Sequence, residues 1–285
     1  MTACLIAWPG ADACADRLAA KLHAPRCRLD SRRFPDGERY LRVMDAVAGR
    51  DAVVVARLRD PDPQLPGLMF LADALRELGA KRVGLVAPYL PYMRQDVRFR
   101  PGEAVSAKSL AKWISAQYDW LATVDPHLHR VATLDALYAI PTAVVPSAAA
   151  VALWVQGHVT RPHIVGPDAE SGQWVAQVAA FLGCGHTVLA KSRHGDREVE
   201  FEMPDASALR GHTPVLVDDI ISTGHTMAGA VRQLLAAGVA APVCVAVHGV
   251  FAEGAEELLQ RAGAARVVTC NTLPHPTNAI DLTEA

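Results

Sequence analysis

Two adjacent carboxylates stand at the end of an apolar run in the segment PVLVDDIISTGHTM, residues 214–227. The run PVLV is typical of a buried strand, and Asp218 and Asp219 follow it directly. Backbone N–H groups and hydroxyls at a helix N-terminus bind phosphate, and carboxylates accept hydrogen bonds from sugar hydroxyls. The segment therefore predicts a sugar phosphate site, although Asp and Thr at such a joint can also serve only as helix caps. The small and hydroxyl-bearing residues that follow the acids are Ser222, Thr223, Gly224, His225 and Thr226.

Strand and helix patterns alternate along the whole chain and would position this loop. Short apolar runs such as CLIAW, AVVVARL, HIVGPD and PVCVAVHG are typical of buried strands, and helical patterns that often end in glycine separate many of them. Such alternation predicts parallel sheets with helices on both faces, which bind ligands at the carboxyl ends of their strands. Because the pattern runs twice, we expect two similar α/β domains, residues 1–145 and 146–285, although the sequence shows no sharp repeat.

Charge and composition exclude several classes of protein. The 28 basic and 30 acidic residues are spread along the chain, so no basic surface for nucleic acid or an anionic membrane is expected. The N-terminal apolar run lacks a basic lead and is broken at Pro9-Gly10, and no apolar stretch is long enough to span a bilayer. The six cysteines are widely spaced without a C-x-x-C pair, which indicates reduced core thiols in a cytoplasmic protein.

The segment VLVDDIISTGHTM resembles the phosphoribosyl diphosphate loop that type I phosphoribosyltransferases share with ribose-phosphate diphosphokinases. Further segments resemble the diphosphokinases, so that the resemblance covers nearly the whole sequence and implies two phosphoribosyltransferase-type domains. It implies an ATP site in residues 1–145 and places ribose 5-phosphate at Asp218, Asp219 and the five loop residues 222–226. The final residues, TNAIDLTEA, resemble a short form that stops before or within a terminal helix of many relatives.

Two segments of the first half resemble the ATP-binding regions of that family. The segment RFPDGERYLRV contains a Pro-Asp-Gly turn of the kind that joins two strands. The segment PYLPYMRQDVRFRPGE carries several arginines, which bind polyphosphates well, although a charged loop can also be simply solvated. The resemblance implies that some of the residues that bind ATP come from a neighbouring subunit. The ATP-binding residues that it implies are Phe34, Asp36, Glu38, Arg94, Gln95 and Asp96, with Arg98 and Arg100 as further cations.

The segment TVDPHLHRV resembles the part of these enzymes in which a histidine helps to hold the magnesium bound to ATP, and His127 takes that position. The pair His127 and His129 also resembles the zinc ligands of amidohydrolases. Those enzymes are TIM barrels with further His and Asp ligands, whereas this chain predicts two open α/β halves. We therefore expect Mg²⁺ at His127 and a solvated His129.

Two other segments carry the remaining candidates for chemistry. In VGPDAESGQW, the resemblance implies that Asp168 is a metal-linked carboxylate in a loop that approaches the diphosphate. Glu170 stands there in place of a usual small residue and adds negative charge. In LAKSRHGD, the resemblance implies that Lys191 and Arg193 are the catalytic cations of a flexible hairpin. Their spacing of two puts them on one face of a strand.

The resemblance implies transfer of the β,γ-diphosphoryl group of Mg-ATP to the C1 hydroxyl of ribose 5-phosphate, which gives phosphoribosyl diphosphate and AMP. A phosphoribosyltransferase would use the same loop but leaves the ATP segments unexplained. A non-catalytic or altered-acceptor relative is favoured by Glu170 and disfavoured by Lys191, Arg193 and His127. His225 replaces a usual glycine, and we expect the loop to tolerate it. The expected assembly is a homo-oligomer built from dimers, without nucleic acid or membrane partners.

Overall fold

The structure, a computed structural model, describes residues 3–128, 130–194, 198–202 and 206–284, with side chains described outside 190–206. The chain divides into two compact units, Met1–Val145 and Pro146–Ala285. Each unit contains a six-stranded sheet and a separate two-stranded hairpin. Across the described ranges, no helix is both long enough and apolar enough to cross a bilayer.

The first unit is a parallel sheet covered on both faces. Its strands are β1 (Ala3–Ala7), β2 (Arg26–Cys27), β3 (Leu29–Arg33), β4 (Arg39–Val43), β5 (Asp51–Val55), β6 (Arg82–Val86), β7 (Trp120–Val124) and β8 (Thr142–Val145), and its helices are α1 (Asp12–Lys21), α2 (Leu65–Glu77) and α3 (Ser106–Gln117). The sheet order is β2-β1-β5-β6-β7-β8, and β3 and β4 form the antiparallel hairpin. Along β1, Cys4 and Ile6 enter the core under α2 and α3, whereas Leu5 and Ala7 enter the core under α1. This alternation is the period of two that a strand buried on both faces requires.

The second unit has the same kind of sheet. Its strands are β9 (Pro162–Gly166), β10 (His186–Val188), β11 (Ala190–His194), β12 (Glu198–Glu202), β13 (Thr213–Ile221), β14 (Val243–Gly249), β15 (Arg266–Cys270) and β16 (Asn278–Ile280), and its helices are α4 (Ala148–His158), α5 (Gly172–Leu182), α6 (His225–Ala236) and α7 (Ala255–Ala262). The sheet order is β10-β9-β13-β14-β15-β16, and β11 and β12 form the hairpin. Helices α6 and α7 cover one core, while α5 packs on β9, β10 and β13 and contacts α4.

The two units share one topology. In each, a strand and a helix lead to the edge strand, a hairpin follows, and the remaining strands extend the sheet in the other direction. The strand order therefore reverses between β1 and β5 in the first unit and between β9 and β13 in the second. The prediction of parallel α/β sheets with helices on both faces is confirmed. The duplication that no sequence repeat revealed is visible in the order of the strands.

The cysteines also agree with their interpretation from the sequence. No disulfide joins these six described cysteines, and Cys184 is partly accessible, while Cys4, Cys14, Cys27, Cys244 and Cys270 are buried. Burial raises the pKa of the Cys244 thiol to about 12, so this thiol stays protonated at neutral pH. The five buried cysteines therefore behave as small apolar side chains in the interiors of the two units.

Candidate active site

Three of the predicted carboxylates meet where the strand order of the second unit reverses. Strands β9 and β13 are parallel neighbours, with Val165 opposite Leu216. Asp168 and Asp218 follow that pair by three and two residues, so both reach the carboxyl edge of the sheet. In an open α/β sheet, the crevice outside this edge is where ligands bind.

The electrostatics of Asp218 reflect this crowding. The residue is half-buried, and protein atoms surround its carboxyl group. Loss of solvation raises the pKa of Asp218 well above its usual value, and the carboxylates of Asp219 and Asp168 raise it further. The Asp219 N–H donates a hydrogen bond to Asp218 Oδ1 at 3.0 Å, which offsets only part of this effect. The site thus holds an excess of acceptors that suits hydroxyl donors or a hard cation.

Asp168 is held in a tight turn after β9. Its Oδ1 accepts a hydrogen bond from the Glu170 N–H at 3.1 Å, and its carbonyl oxygen accepts one from Ser171 Oγ at 2.6 Å. A Cβ on Gly166 would lie 2.3 Å from Ser171 Oγ, so glycine is required for the turn to fold back on the strand. Glu170, the acidic departure from the family pattern, is exposed.

The segment of residues 218–226, called the sugar loop, connects strand to helix as the sequence predicted, but β13 continues through Asp218 and Asp219 to Ile221, so only residues 222–224 lie between β13 and α6. Gly224 has φ +77°, and a Cβ there would lie 3.2 Å from the Ala255 carbonyl oxygen. Both features favour glycine. Helix α6 begins at His225, and within the described residues no side chain caps its N-terminus. The first-turn N–H groups are thus left for a ligand at the same edge as the carboxylates.

A second loop supports the sugar loop, and sequence reasoning missed it. The N–H groups of Val250 and Phe251 both donate to the Ile221 carbonyl oxygen at 3.0 Å, and the Ala252 N–H donates to the Ser222 carbonyl oxygen at 2.9 Å. Residues 250–254, called the support loop below, follow β14 in the segment VHGVFAEG, where the glycines were the only local signal. A cavity of about 320 Å³ opens beside both loops and is lined by Thr223, His225, Ala252, Glu253, Gly254, Leu258 and Arg261.

Lys191 and Arg193 lie on the hairpin that precedes β13. Their backbones pair with Phe201 and Val199 of β12 in an antiparallel register. The hairpin that the resemblance implied is therefore present. The side chains of Lys191 and Arg193 lie outside the described part of the structure, and their catalytic role stays a prediction.

In the first unit, the Pro-Asp-Gly turn joins β3 to β4 as predicted. The Phe34 N–H donates to the Glu38 carbonyl oxygen at 2.8 Å, and the Glu38 N–H donates to Asp36 Oδ1 at 3.1 Å. Asp36 therefore shapes the turn. The Phe34 ring is 37% exposed. It makes an edge contact with Tyr40, with ring centroids 6.0 Å apart.

Arg32 completes an exposed aromatic platform that the sequence did not reveal. Its guanidinium lies 4.9 Å from the centroid of the Phe34 ring and 4.5 Å from that of the Tyr40 ring. Aromatic faces and guanidinium planes both stack on flat ligands, and a cation over two rings fixes their orientation. The hairpin therefore offers a surface of the kind that a nucleobase uses.

The loop after β6 carries the predicted ATP-binding residues Arg94, Gln95 and Asp96, of which some are exposed and others contact the protein. Arg94, Arg98 and Arg100 are exposed, as polyphosphate ligands must be. Gln95 instead accepts a hydrogen bond from Ser106 Oγ at 3.0 Å, next to the start of α3. Asp96 is buried and pairs with Arg130, with Nη1 and Oδ1 3.0 Å apart. Gln95 and Asp96 thus hold the loop in place, and direct contact with ATP stays a prediction for both.

His127 follows β7 and is half-buried at the carboxyl edge of the first sheet. His129, its partner in the zinc alternative, lies outside the described residues. That alternative required a TIM barrel, and the two open sheets contradict it. His127 therefore remains a candidate for the Mg²⁺ role that the resemblance implied.

Comparison with known proteins agrees with this architecture. Residues 3–117 match the family model for the N-terminal domain of ribose phosphate pyrophosphokinase, and residues 135–284 match the phosphoribosyl transferase domain. The chain is 33% identical to the ribose-phosphate pyrophosphokinase of Methanobrevibacter smithii over 95% of this chain and 94% of that one. It is 35% identical to that of Thermococcus kodakarensis over 89% of each chain.

A solved structure supports the same conclusion. Phosphoribosylpyrophosphate synthetase from Mycobacterium smegmatis superposes with a TM-score of 0.87 at 26% identity, covering 100% of this chain and 96% of that one. The matches extend over both units and include the second-unit edge where the three carboxylates meet. The chain therefore belongs to the ribose-phosphate pyrophosphokinase family.

Proposed function

We propose that this chain transfers the β,γ-diphosphoryl group of Mg-ATP to the C1 hydroxyl of ribose 5-phosphate, releasing phosphoribosyl diphosphate and AMP. One observation carries the proposal: Asp168, Asp218 and Asp219 meet beside the uncapped N-terminus of α6. Hydroxyl donors of a ribose suit the acids, and its phosphate suits the helix N-terminus.

In this proposal the sugar loop binds ribose 5-phosphate. Asp218 and Asp219 accept hydrogen bonds from the ring hydroxyls and so orient the C1 hydroxyl. The phosphate is bound by the loop's N–H groups and hydroxyls, namely those of Ser222, Thr223, Gly224, His225 and Thr226. Because Gly224 and the support loop hold this backbone in advance, binding requires little reorganisation.

The first unit binds ATP in this proposal. The Phe34 platform receives the base together with Asp36 and Glu38, and the exposed Arg94 contacts the phosphates.

In the second unit, Lys191 and Arg193 offset the charge that develops on the transferred group, so that catalysis consists mainly of positioning and charge stabilisation.

The described residues fit Mg²⁺ in its usual protein environment. Among them, no cluster of three or more His, Cys, Asp or Glu side chains is arranged to hold a metal. Mg²⁺ commonly binds through one or two carboxylates and substrate phosphates, and Asp168 is an accessible carboxylate of that kind, with His127 as the second candidate. When bound, Mg²⁺ neutralises phosphate charge and orients the reacting group.

Assembly and location are part of the same proposal. The exposed Phe34 platform suits an ATP site shared with a neighbouring subunit, which favours a homo-oligomer built from dimers. Cysteines that form no disulfide suit the reducing cytoplasm. Light scattering of the purified protein tests the first point, and a monomeric mass that persists with Mg-ATP would contradict it.

The reaction is tested directly by phosphorus NMR. Purified protein is mixed with ATP, Mg²⁺ and ribose 5-phosphate, and AMP and phosphoribosyl diphosphate are expected to appear in equal amounts and to stop on addition of EDTA. Asp218→Asn serves as the matched variant with a defective sugar site. ATP that remains intact in the native protein would contradict the proposal, and other phosphorylated riboses then test an altered acceptor.

A further inference from the structure

We propose that Phe251 is a positioning residue that keeps the sugar loop in its ligand-binding conformation. This inference rests on the proposed function, because it assigns the sugar loop to ribose 5-phosphate. Phe251 lies in the support loop, and its N–H donates one of the hydrogen bonds to the carbonyl oxygen of Ile221, the last residue of β13. The ring of Phe251 is buried beside Gly249 and stacks on His275.

The support loop fixes the backbone just before the phosphate-binding residues. Ile221 offers its carbonyl oxygen to two N–H groups at 3.0 Å, and Ser222 offers its own to a third at 2.9 Å. Gly224 then packs against the carbonyl of Ala255, the first residue of α7. The segment that runs from β14 to α7 therefore fixes the carbonyl groups of Ile221 and Ser222 and leaves room only for glycine at position 224.

Phe251 is the residue that holds this segment in place. It has φ +35°, a left-handed conformation that is strained for a bulky side chain, and yet it is only 5% exposed. A Cβ on Gly249 would lie 2.6 Å from Phe251 Cε2 and 3.0 Å from Thr269 Cγ2, so the ring fills a space that only glycine leaves open. Ring packing in this slot maintains the strained backbone.

His275 closes the other side of the slot. Its ring stacks on that of Phe251, with centroids 4.2 Å apart and an interplanar angle of 28°. His275 Nδ1 accepts a hydrogen bond from the Thr277 N–H at 3.3 Å, and its Nε2 lies 3.9 Å from a carboxylate oxygen of Glu256 in the first turn of α7. The stack thus ties the support loop to both the β15–β16 connection and α7.

Removal of the ring should reduce the fraction of molecules whose sugar loop is ready to bind. The apparent affinity for ribose 5-phosphate falls in proportion to that fraction, whereas molecules that do bind have a complete site. The signature is therefore a higher KM for ribose 5-phosphate with kcat nearly unchanged. A residue that only stabilises the whole fold would not separate these two constants.

The test compares Phe251→Leu with Phe181→Leu, the same substitution at a residue that is 65% exposed on α5. For Phe251→Leu we expect KM for ribose 5-phosphate to rise about tenfold, with kcat within about twofold and KM for ATP unchanged. Hydrogen exchange of the Val250, Phe251 and Ala252 amides should accelerate at least about tenfold, while β14 keeps its protection. Phe181→Leu should match the native protein in every measurement.

His275→Gln is the second variant and carries the test if Phe251→Leu does not fold. It removes the stacked ring and leaves Phe251 in place, and the same changes are expected at roughly threefold. Native exchange rates in the support loop, a loss of kcat at unchanged KM, or uniform acceleration across the second unit would overturn the proposal. Exchange is measured without substrate, so failure of the proposed reaction would leave this test intact and be recognised separately.

Discussion

Replacement of Asp218 by asparagine should stabilise the free protein and weaken its sugar site. Asp218 Oδ1 accepts a hydrogen bond from the Asp219 N–H at 3.0 Å, and the amide oxygen of asparagine can keep that bond. What the substitution removes is a poorly solvated charge next to Asp219 and Asp168. Loss of solvation costs a polar group about 1–3 kcal/mol, and the bond from Asp219 offsets part of it, so we expect a gain of about 1–2 kcal/mol in the free energy of unfolding. The melting temperature should then rise by roughly 3 °C per kcal/mol.

The same substitution has the opposite effect on ligand binding. A hydrogen bond to a charged acceptor contributes about 1.5–3 kcal/mol, which corresponds to a loss of about 10- to 100-fold in affinity for ribose 5-phosphate. A substitution that raises stability while it lowers ligand affinity identifies Asp218 as a ligand-binding residue rather than a helix cap. A carboxylate that only capped the loop would lower stability when it is neutralised.

The sign of the pH dependence follows from the raised pKa of Asp218. The folded protein binds the Asp218 proton more tightly than the unfolded chain does, so stability falls as pH rises from the usual value of 3.8 through the raised one. Asparagine does not titrate. The extra free energy of unfolding of Asp218→Asn over the native protein should therefore be absent below about pH 4 and grow towards neutral pH.

Urea unfolding with EDTA, measured between about pH 4 and pH 8, tests the stability, and calorimetry with ribose 5-phosphate tests the binding. Asp73→Asn, on the exposed surface of α2, is the control and should stay within about 0.5 kcal/mol of the native protein. A variant that is at least about 1 kcal/mol less stable than the native protein at neutral pH would refute the reasoning, because Asp218 would then have a favourable partner.

Three further predictions concern other parts of the candidate site. Gly224→Ala should lower the free energy of unfolding by about 1–2 kcal/mol more than Gly254→Ala does. Both glycines have left-handed backbones, with φ +77° and +75°, but of the two only Gly224 would place a Cβ 3.2 Å from a carbonyl oxygen. Equal losses on urea unfolding would contradict this. Lys191→Ala should lower turnover at least about 100-fold with an unchanged melting temperature, and full activity would disprove the catalytic role. Asp96→Ala should cost about 1–3 kcal/mol, because Asp96 is buried while its partner Arg130 is partly exposed; a loss below about 0.5 kcal/mol would contradict the pairing.

Much of the fold is readable from local sequence patterns. Runs such as PVLV and PVCVAVHG form β13 and β14, because short apolar segments between glycine-rich turns have few stable alternatives to a buried strand. The sugar loop was also predictable, since Gly224 and the following helical pattern define a strand–loop–helix joint locally. The hairpin at Asp36 follows from its turn residues in the same way.

The meeting of distant side chains was decided by tertiary structure. Asp168 and Asp218 come together because β9 and β13 are neighbours, and strand order depends on which apolar faces pack best across the whole unit. The pairing of Asp96 with Arg130 and the stack of Phe251 on His275 join segments whose local sequences carry no sign of each other. The sequence thus determined the kinds of groups that each loop carries, and long-range packing determined which of them share a site, because contact between remote residues depends on the whole core rather than on local propensity.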